Sequence, residues 1–175
     1  MKKVLFAIPL ALALTGCGSD IDLVKGGVME FNQTTTLGKA LDNWKSCESR
    51  EWEEFETDNG IKVVQFTCQH KISQYMSKAK SLLSEEKQAK AKHLDIASNI
   101  QTFQFTINQD DTFQIDNVQV KTTWQDGTSF EDSQKPVEQL ETAYANNLNF
   151  DPAELNEMGA AQISYVFSMI KMRAK

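Results

Sequence analysis

The sequence predicts an α+β fold: an antiparallel sheet of four to five strands with helices packed over one face. Three observations carry this. Asp58-Asn59-Gly60 and Asp126-Gly127 lie between runs of aromatic and β-branched residues, and such turns accept the positive φ that tight hairpins require. Phe103, Phe105 and Ile107 alternate with polar residues, the period of a half-buried strand. Leu37, Ala40, Leu41 and Trp44 recur at i, i+3, i+4 and i+7, which places them on one face of a helix.

The chain opens with Met1-Lys2-Lys3, which is positively charged, followed by an apolar run from Val4 to Ala13 that is too short for a lasting bilayer span. Leu14-Thr15-Gly16-Cys17 closes this segment and resembles the lipobox of bacterial lipoproteins. The resemblance implies a diacylglyceryl group on the Cys17 thiol, cleavage before Cys17 and acylation of the new amine. Each buried lipid methylene contributes about 0.8 kcal/mol and one chain holds only marginally, so three chains would make the anchorage effectively permanent. Gly18, not aspartate, follows the cysteine. By resemblance to the sorting rule of enteric and related bacteria, that favours the outer membrane, on its periplasmic face or at the cell surface. The expected organisation is a signal over residues 1–16, a lipidated cysteine and short tether over 17–20, and a single α+β domain over 21–175.

Removal of the signal would leave 175 − 16 = 159 residues, enough for one sizeable core. Lys2 and Lys3 leave with it, so 18 − 2 = 16 basic residues face 24 acidic ones, a net charge of 16 − 24 = −8. That balance argues against a nucleic-acid partner, whose phosphates need cationic neutralisation, and against docking on anionic headgroups. The membrane is then reached through the lipid on Cys17. Lipidation leaves Cys47 and Cys68, 68 − 47 = 21 positions apart, and in an exported chain these are expected to form a disulfide. The competing arrangement is a metal site or thiol nucleophile built from Cys47, Cys68 and His70, but the chain has only two histidines and no CxxC pair.

Taken in order, Val28-Met29-Glu30-Phe31 suggests a first short strand, and Thr35 or Thr36 can cap the helix that begins near Leu37 and runs to Trp44 or Cys47. Trp52–Thr57 and Ile61–Cys68 form a hairpin in which Trp52 and Phe55 differ in parity and cannot both face inward without a bulge. Val64, Phe66, Cys68 and His70 share a face, and a core position there would aim Cys68 at the first helix. Ser73–Ser98 is rich in helix formers, with Tyr75, Ala79, Leu82 and Leu83 on one stripe, and reads as one long helix or two broken near Ser84. His93 falls in this charged stretch as a solvated residue.

Phe103–Ile107 pairs with Phe113–Ile115 across the Asn108–Asp111 turn, and Val118, Val120 and Trp124 continue out of phase, so a bulge is expected at Asp116-Asn117. Thr128–Phe130 adds a short edge strand. Pro136 suits the first position of a helix carrying Val137, Leu140 and Tyr144. Asp151 caps a last helix, with Ile163, Val166, Phe167 and Ile170 opposite a small or polar stripe; Ile163–Met169 as a strand is the rival reading.

No motif supplies chemistry. There is no HExxH, no GxSxG and no Gly-rich phosphate loop, so no catalytic residue, metal or cofactor is expected. Glu51, Glu53, Glu54 and Glu56 read as a strand edge that resists aggregation. Asp110, Asp111 and Asp116 lack the ligand spacing of a calcium loop. Trp52 and Trp124 are the candidate exposed aromatics for binding. Val24–Phe31, Thr36–Asp42, Trp52, Phe55, Gly60 and Val64–Phe66 resemble the opening of small proteobacterial lipoproteins, and the order of lipobox, helix and hairpin is similar to small lipoproteins that support outer-membrane barrel assembly. The expected function is non-enzymatic, binding an unidentified protein partner or maintaining the envelope. The alternative is an inhibitor of a cell-wall hydrolase such as lysozyme, for which an acidic, disulfide-tied exported chain is suited.

Overall fold

The computed structural model describes residues 19–175; the signal, Cys17 and Gly18 lie outside the described residues. The chain enters through helix α1 (Asp20–Gly26), which begins at the last residue of the expected tether and precedes the strand expected at Val28–Phe31. Ser19 makes this possible. Its Oγ accepts from the Asp22 N–H at 3.1 Å while the Asp22 carboxylate accepts from the Ser19 N–H at 3.4 Å, a reciprocal cap. Val28–Phe31 forms no strand, only an isolated bridge between Met29 and Asn32. Helix α2 (Leu37–Asp42) is capped by Thr36 and buries Leu37, Ala40 and Leu41, and it ends before Trp44.

A five-stranded antiparallel sheet follows, with strands β1 (Cys47–Glu56), β2 (Lys62–His70), β3 (Ile96–Ile107), β4 (Phe113–Trp124) and β5 (Ser129–Gln134) in sequential order. β1 pairs Trp52 with Phe66, so Trp52 turns to the core and Phe55 is left on the opposite face without a bulge between them. β3 and β4 shift register where Gln104 faces Asn117 and Phe105 faces Ile115, which leaves Asp116 as the extra residue. That bulge lets Ile115 and Val118 both reach the core, three positions apart. Most buried side chains of the sheet come from one face: Val64, Phe66, Cys68 and His70 of β2, Asn99, Gln101, Phe103 and Phe105 of β3, and Val118, Thr122 and Trp124 of β4. Val63, by contrast, is buried on the other face beside Phe55. The other face is an open polar surface crossed by a ladder in which Gln104 donates to Gln65 at 2.8 Å and Asn117 donates to Gln104 at 3.2 Å.

Helices cover the buried face. Residues 73–98 form α3 (Ser73–Ser81), α4 (Glu85–Lys90) and a 3-10 turn at Lys92–Leu94, and then enter β3, so the break near Ser84 is real but the helix stops well short of Ser98. Pro136 opens α5 (Pro136–Tyr144). The last helix, α6 (Glu157–Lys171), is capped by Asn156, whose side chain accepts from the Gly159 N–H at 2.9 Å; Asp151 instead holds a local turn with Ala153. Residues 163–169 are helical, which settles the rival reading. Two apolar clusters result, one under α1, α2 and α5 around Trp44, Phe66 and Phe103, the other under α3 and α6 around Ile72, Met76, Trp124 and Phe167.

Candidate functional site

Between the two clusters the buried face of the sheet turns polar. Strand alternation sets Asn99 and Gln101 in phase with Phe103 and Phe105, on positions where packing alone asks for apolar side chains. His70 stands beside them at the end of β2. With Thr122, Phe130, Asp132, Gln134 and Gln139 they line a partly open cavity of about 250 Å³ that Phe150, Phe167 and Ile170 also border.

The polar groups form one chain of hydrogen bonds. The Asn149 N–H donates to Ser46 Oγ at 3.3 Å, and Ser46 Oγ lies 2.9 Å from His70 Nδ1. His70 Nε2 lies 2.8 Å from Gln101 Oε1, and Gln101 Nε2 donates to Gln139 Oε1 at 3.0 Å. An amide oxygen only accepts, so His70 carries its proton on Nε2, and Nδ1 accepts from the serine hydroxyl. Burial pushes the imidazole below its ordinary value, and the contacts with Gln101 and Ser46 oppose this only in part. Asn99 Nδ2 donates to Thr122 Oγ1 at 2.8 Å, while Asn99 Oδ1 is buried without a donor.

Ser46 and His70 have the spacing of a nucleophile and its base, which was not visible in the sequence because Ser46 lies 24 positions away. Two features remove that chemistry. Ser46 is fully buried, so an acyl group has no path to Oγ. The third member is the neutral Gln101, which orients the ring but cannot stabilise an imidazolium as a carboxylate does. What the arrangement offers a ligand is a set of hydrogen-bonding groups, with one carboxylate, Asp132, at the rim.

Cys47 and Cys68 are joined in a disulfide, with their Cα atoms 5.3 Å apart, and the bond ties the start of β1 to the end of β2 beneath Trp44. Cys68 is therefore no thiolate. Among the described residues no group of three or more His, Cys, Asp or Glu side chains is placed to hold a metal ion. Residues 1–17 match the family model of the prokaryotic membrane lipoprotein lipid attachment site. The match supports a lipid-anchored bacterial lipoprotein. Comparisons with curated proteins and with solved structures give no match.

The aromatic residues expected to bind are placed otherwise in this lipoprotein. Trp124 is only 1% exposed, because it closes the second core cluster; its Nε1 donates to the His93 carbonyl at 2.9 Å, and Lys171 Nζ sits 4.7 Å above its ring. Trp52 is half-buried, with Nε1 bonded to Asp42 Oδ1 at 2.7 Å and Lys25 over its face. Both indoles thus serve the fold. His93 is also not solvated as expected: it is half-buried in the 3-10 turn, with Nε2 2.8 Å from Ser164 Oγ. Partial burial and Lys80 lower its affinity for a proton, and Asp95 opposes them. Asp110 holds the β3–β4 turn through Thr112. The glutamates of β1 do lie on a sheet edge.

Proposed function

We propose that this lipoprotein is a non-enzymatic binding module of the outer membrane, whose cavity receives a neutral polar group from a protein partner. The buried Asn99 Oδ1 carries this reading. An unpaired acceptor of this kind costs about 1–3 kcal/mol, and an incoming N–H or O–H would offset that cost. The interior lining is amide, hydroxyl and neutral imidazole with aromatic walls, and the one carboxylate, Asp132, sits exposed at the rim, where it accepts from Gln134 Nε2 at 3.0 Å. This suits a peptide group or a carboxamide, whose N–H groups both kinds of acceptor can bind. Gly18 after Cys17 supports the outer-membrane assignment.

A photo-crosslinking residue at Gln134, half-exposed on the cavity rim, tests the proposal in the lipidated chain in its own membrane. The expected result is an adduct with one protein, absent from a probe at Lys121 on the open sheet face and reduced by Asn99→Leu. Adducts that ignore Asn99→Leu, or peptidoglycan hydrolysis by the purified lipoprotein, would overturn it. The exposed acidic edge formed by Glu51, Glu53, Glu54 and Glu56 favours one second reading, inhibition of a basic cell-wall hydrolase. Undiminished lysis by lysozyme in the presence of excess lipoprotein would remove that reading.

A further inference from the structure

The outer face of α6 is the largest departure from ordinary surface chemistry. No charged residue occurs from Met158 to Ile170, although the helix lies on the outside of the molecule. Ala160, Ile163, Phe167, Ile170 and Ala174 take the inner face. Opposite them, Met158, Tyr165 and Met172 are 73%, 67% and 70% exposed, with Met169 between the latter two. A helix apolar on both sides is ordinarily covered on both sides.

The spacing and the charges say what covers it. Met158, Tyr165 and Met172 fall at seven-residue intervals, the repeat of a seam between paired helices. A two-fold axis at Tyr165, with the helices antiparallel, sets Met158 of one copy level with Met172 of the other and Ala161 level with Met169. The same axis brings the acidic start of the helix, Glu157 in its first turn and Glu154 in the turn before it, toward the basic residues just past its end, Arg173 and Lys175. All four charged side chains are exposed, and among the described residues none is held in an ion pair. A parallel pair would stack like charge on like charge.

The bilayer of the anchor is a poorer occupant. Gly27 packs against Phe113 at one end of β4, whereas Lys171 of α6 covers Trp124 at the other. Phe113 and Trp124 are the two ends of β4, 124 − 113 = 11 steps apart, roughly 36 Å at about 3.3 Å per step.

We infer that α6 is a self-association surface, pairing two copies of this chain antiparallel through Met158, Tyr165, Met169 and Met172 about an axis at Tyr165. A 15-residue helix buries less than the ~1,200 Å² typical of stable interfaces, so the pair is weak and is best read by cross-linking.

Tyr165→Cys in the lipidated chain, purified in detergent, adds one free thiol on the axis. Mild oxidation should give a disulfide-linked dimer, with Lys121→Cys on the open sheet face giving at least fivefold less. In the Tyr165→Cys background, Glu154→Lys/Glu157→Lys and Arg173→Glu/Lys175→Glu should each cross-link poorly alone, and a one-to-one mixture should recover the yield. Equal cross-linking at both cysteine positions overturns the inference, as does failure of the mixture to recover. A Tyr165→Cys thiol shielded from maleimide by vesicles, without cross-linking, overturns it in favour of a lipid surface.

Discussion

His70 Nε2 meets Gln101 Oε1 at 2.8 Å on the buried face of the sheet, in line with Phe66 and Phe103. The bond fixes one tautomer of a neutral ring. A second proton on Nδ1 would face the Ser46 hydroxyl, turning a donor into an acceptor, and would bring a charge beside Cys68 Sγ at 3.8 Å. The native state therefore binds that proton less readily than the unfolded chain.

The sign of the pH dependence follows. The folded value of His70 is lowered, so its contribution to stability is fully present above the unfolded value of about 6.5 and declines as pH falls toward the folded value. Denaturant titrations between pH 7.5 and 5 should show this decline, and His70→Gln should flatten it while lowering stability throughout. His93 acts in the same direction, so His93→Asn serves as the comparison. Asp126, held to about 2 mainly by its bond to Lys171, loses its contribution only well below this window. An unchanged slope in His70→Gln would refute the argument.

Ser46 is expected to be inert. A fluorophosphonate probe that labels activated serines should leave the folded lipoprotein unlabelled, because the hydroxyl is buried and already donates to His70. Ser46→Ala should destabilise by about 1–3 kcal/mol through the unpaired Nδ1. Stoichiometric labelling at Ser46 would show a path to the site that the packing denies.

The hairpins, the Thr36 cap, the bulge at Asp116 and the Cys47–Cys68 pair were legible because each has a local or counting signature. The phase change between Ile115 and Val118 needs no knowledge of the rest of the chain. The cavity was not legible, since it joins Ser46, His70, Gln101 and Gln139 from separate elements. One local signal existed: Asn99 and Gln101 share the phase of Phe103 and Phe105, so extending that strand backward would have marked two buried amides. Trp124 misled because a large aromatic near a turn gives no hint of which cluster it closes. For α6, the capping potential of Asp151-Pro152 was satisfied in a turn, and Asn156 took the cap.

Opening the disulfide should weaken the fold without changing its topology. The closed loop spans 21 positions, worth about 3 kcal/mol in the chain-entropy account. Cys47→Ala/Cys68→Ala should lower the denaturant midpoint by a matching amount and retain the far-ultraviolet spectrum. Equal midpoints for the oxidised and reduced wild type would show that the bond carries no stability.

Three glycines separate conformational freedom from steric need. A Cβ on Gly38, inside α2, would lie 2.8 Å from Lys25 Cβ and 3.0 Å from the Lys25 carbonyl oxygen, where α1 crosses. Alanine gains about 1 kcal/mol over glycine in a helix, but this neighbour is largely backbone and cannot swing aside. Overpacking of this kind costs about 1–3 kcal/mol, so Gly38→Ala should destabilise on balance. It should also loosen the Lys25–Asp42 ion pair, now at 2.8 Å, and with it the Asp42 contact that holds Trp52. Gly27→Ala meets the Phe113 ring at 2.3 Å and should destabilise as well. Gly26 has open space around its missing Cβ, so Gly26→Ala should be neutral or stabilising. Thermal melts of the three variants, with tryptophan fluorescence reporting on Trp52, check the order. A Gly38→Ala protein as stable as Gly26→Ala would mean that α1 does not seat on α2 as closely as described.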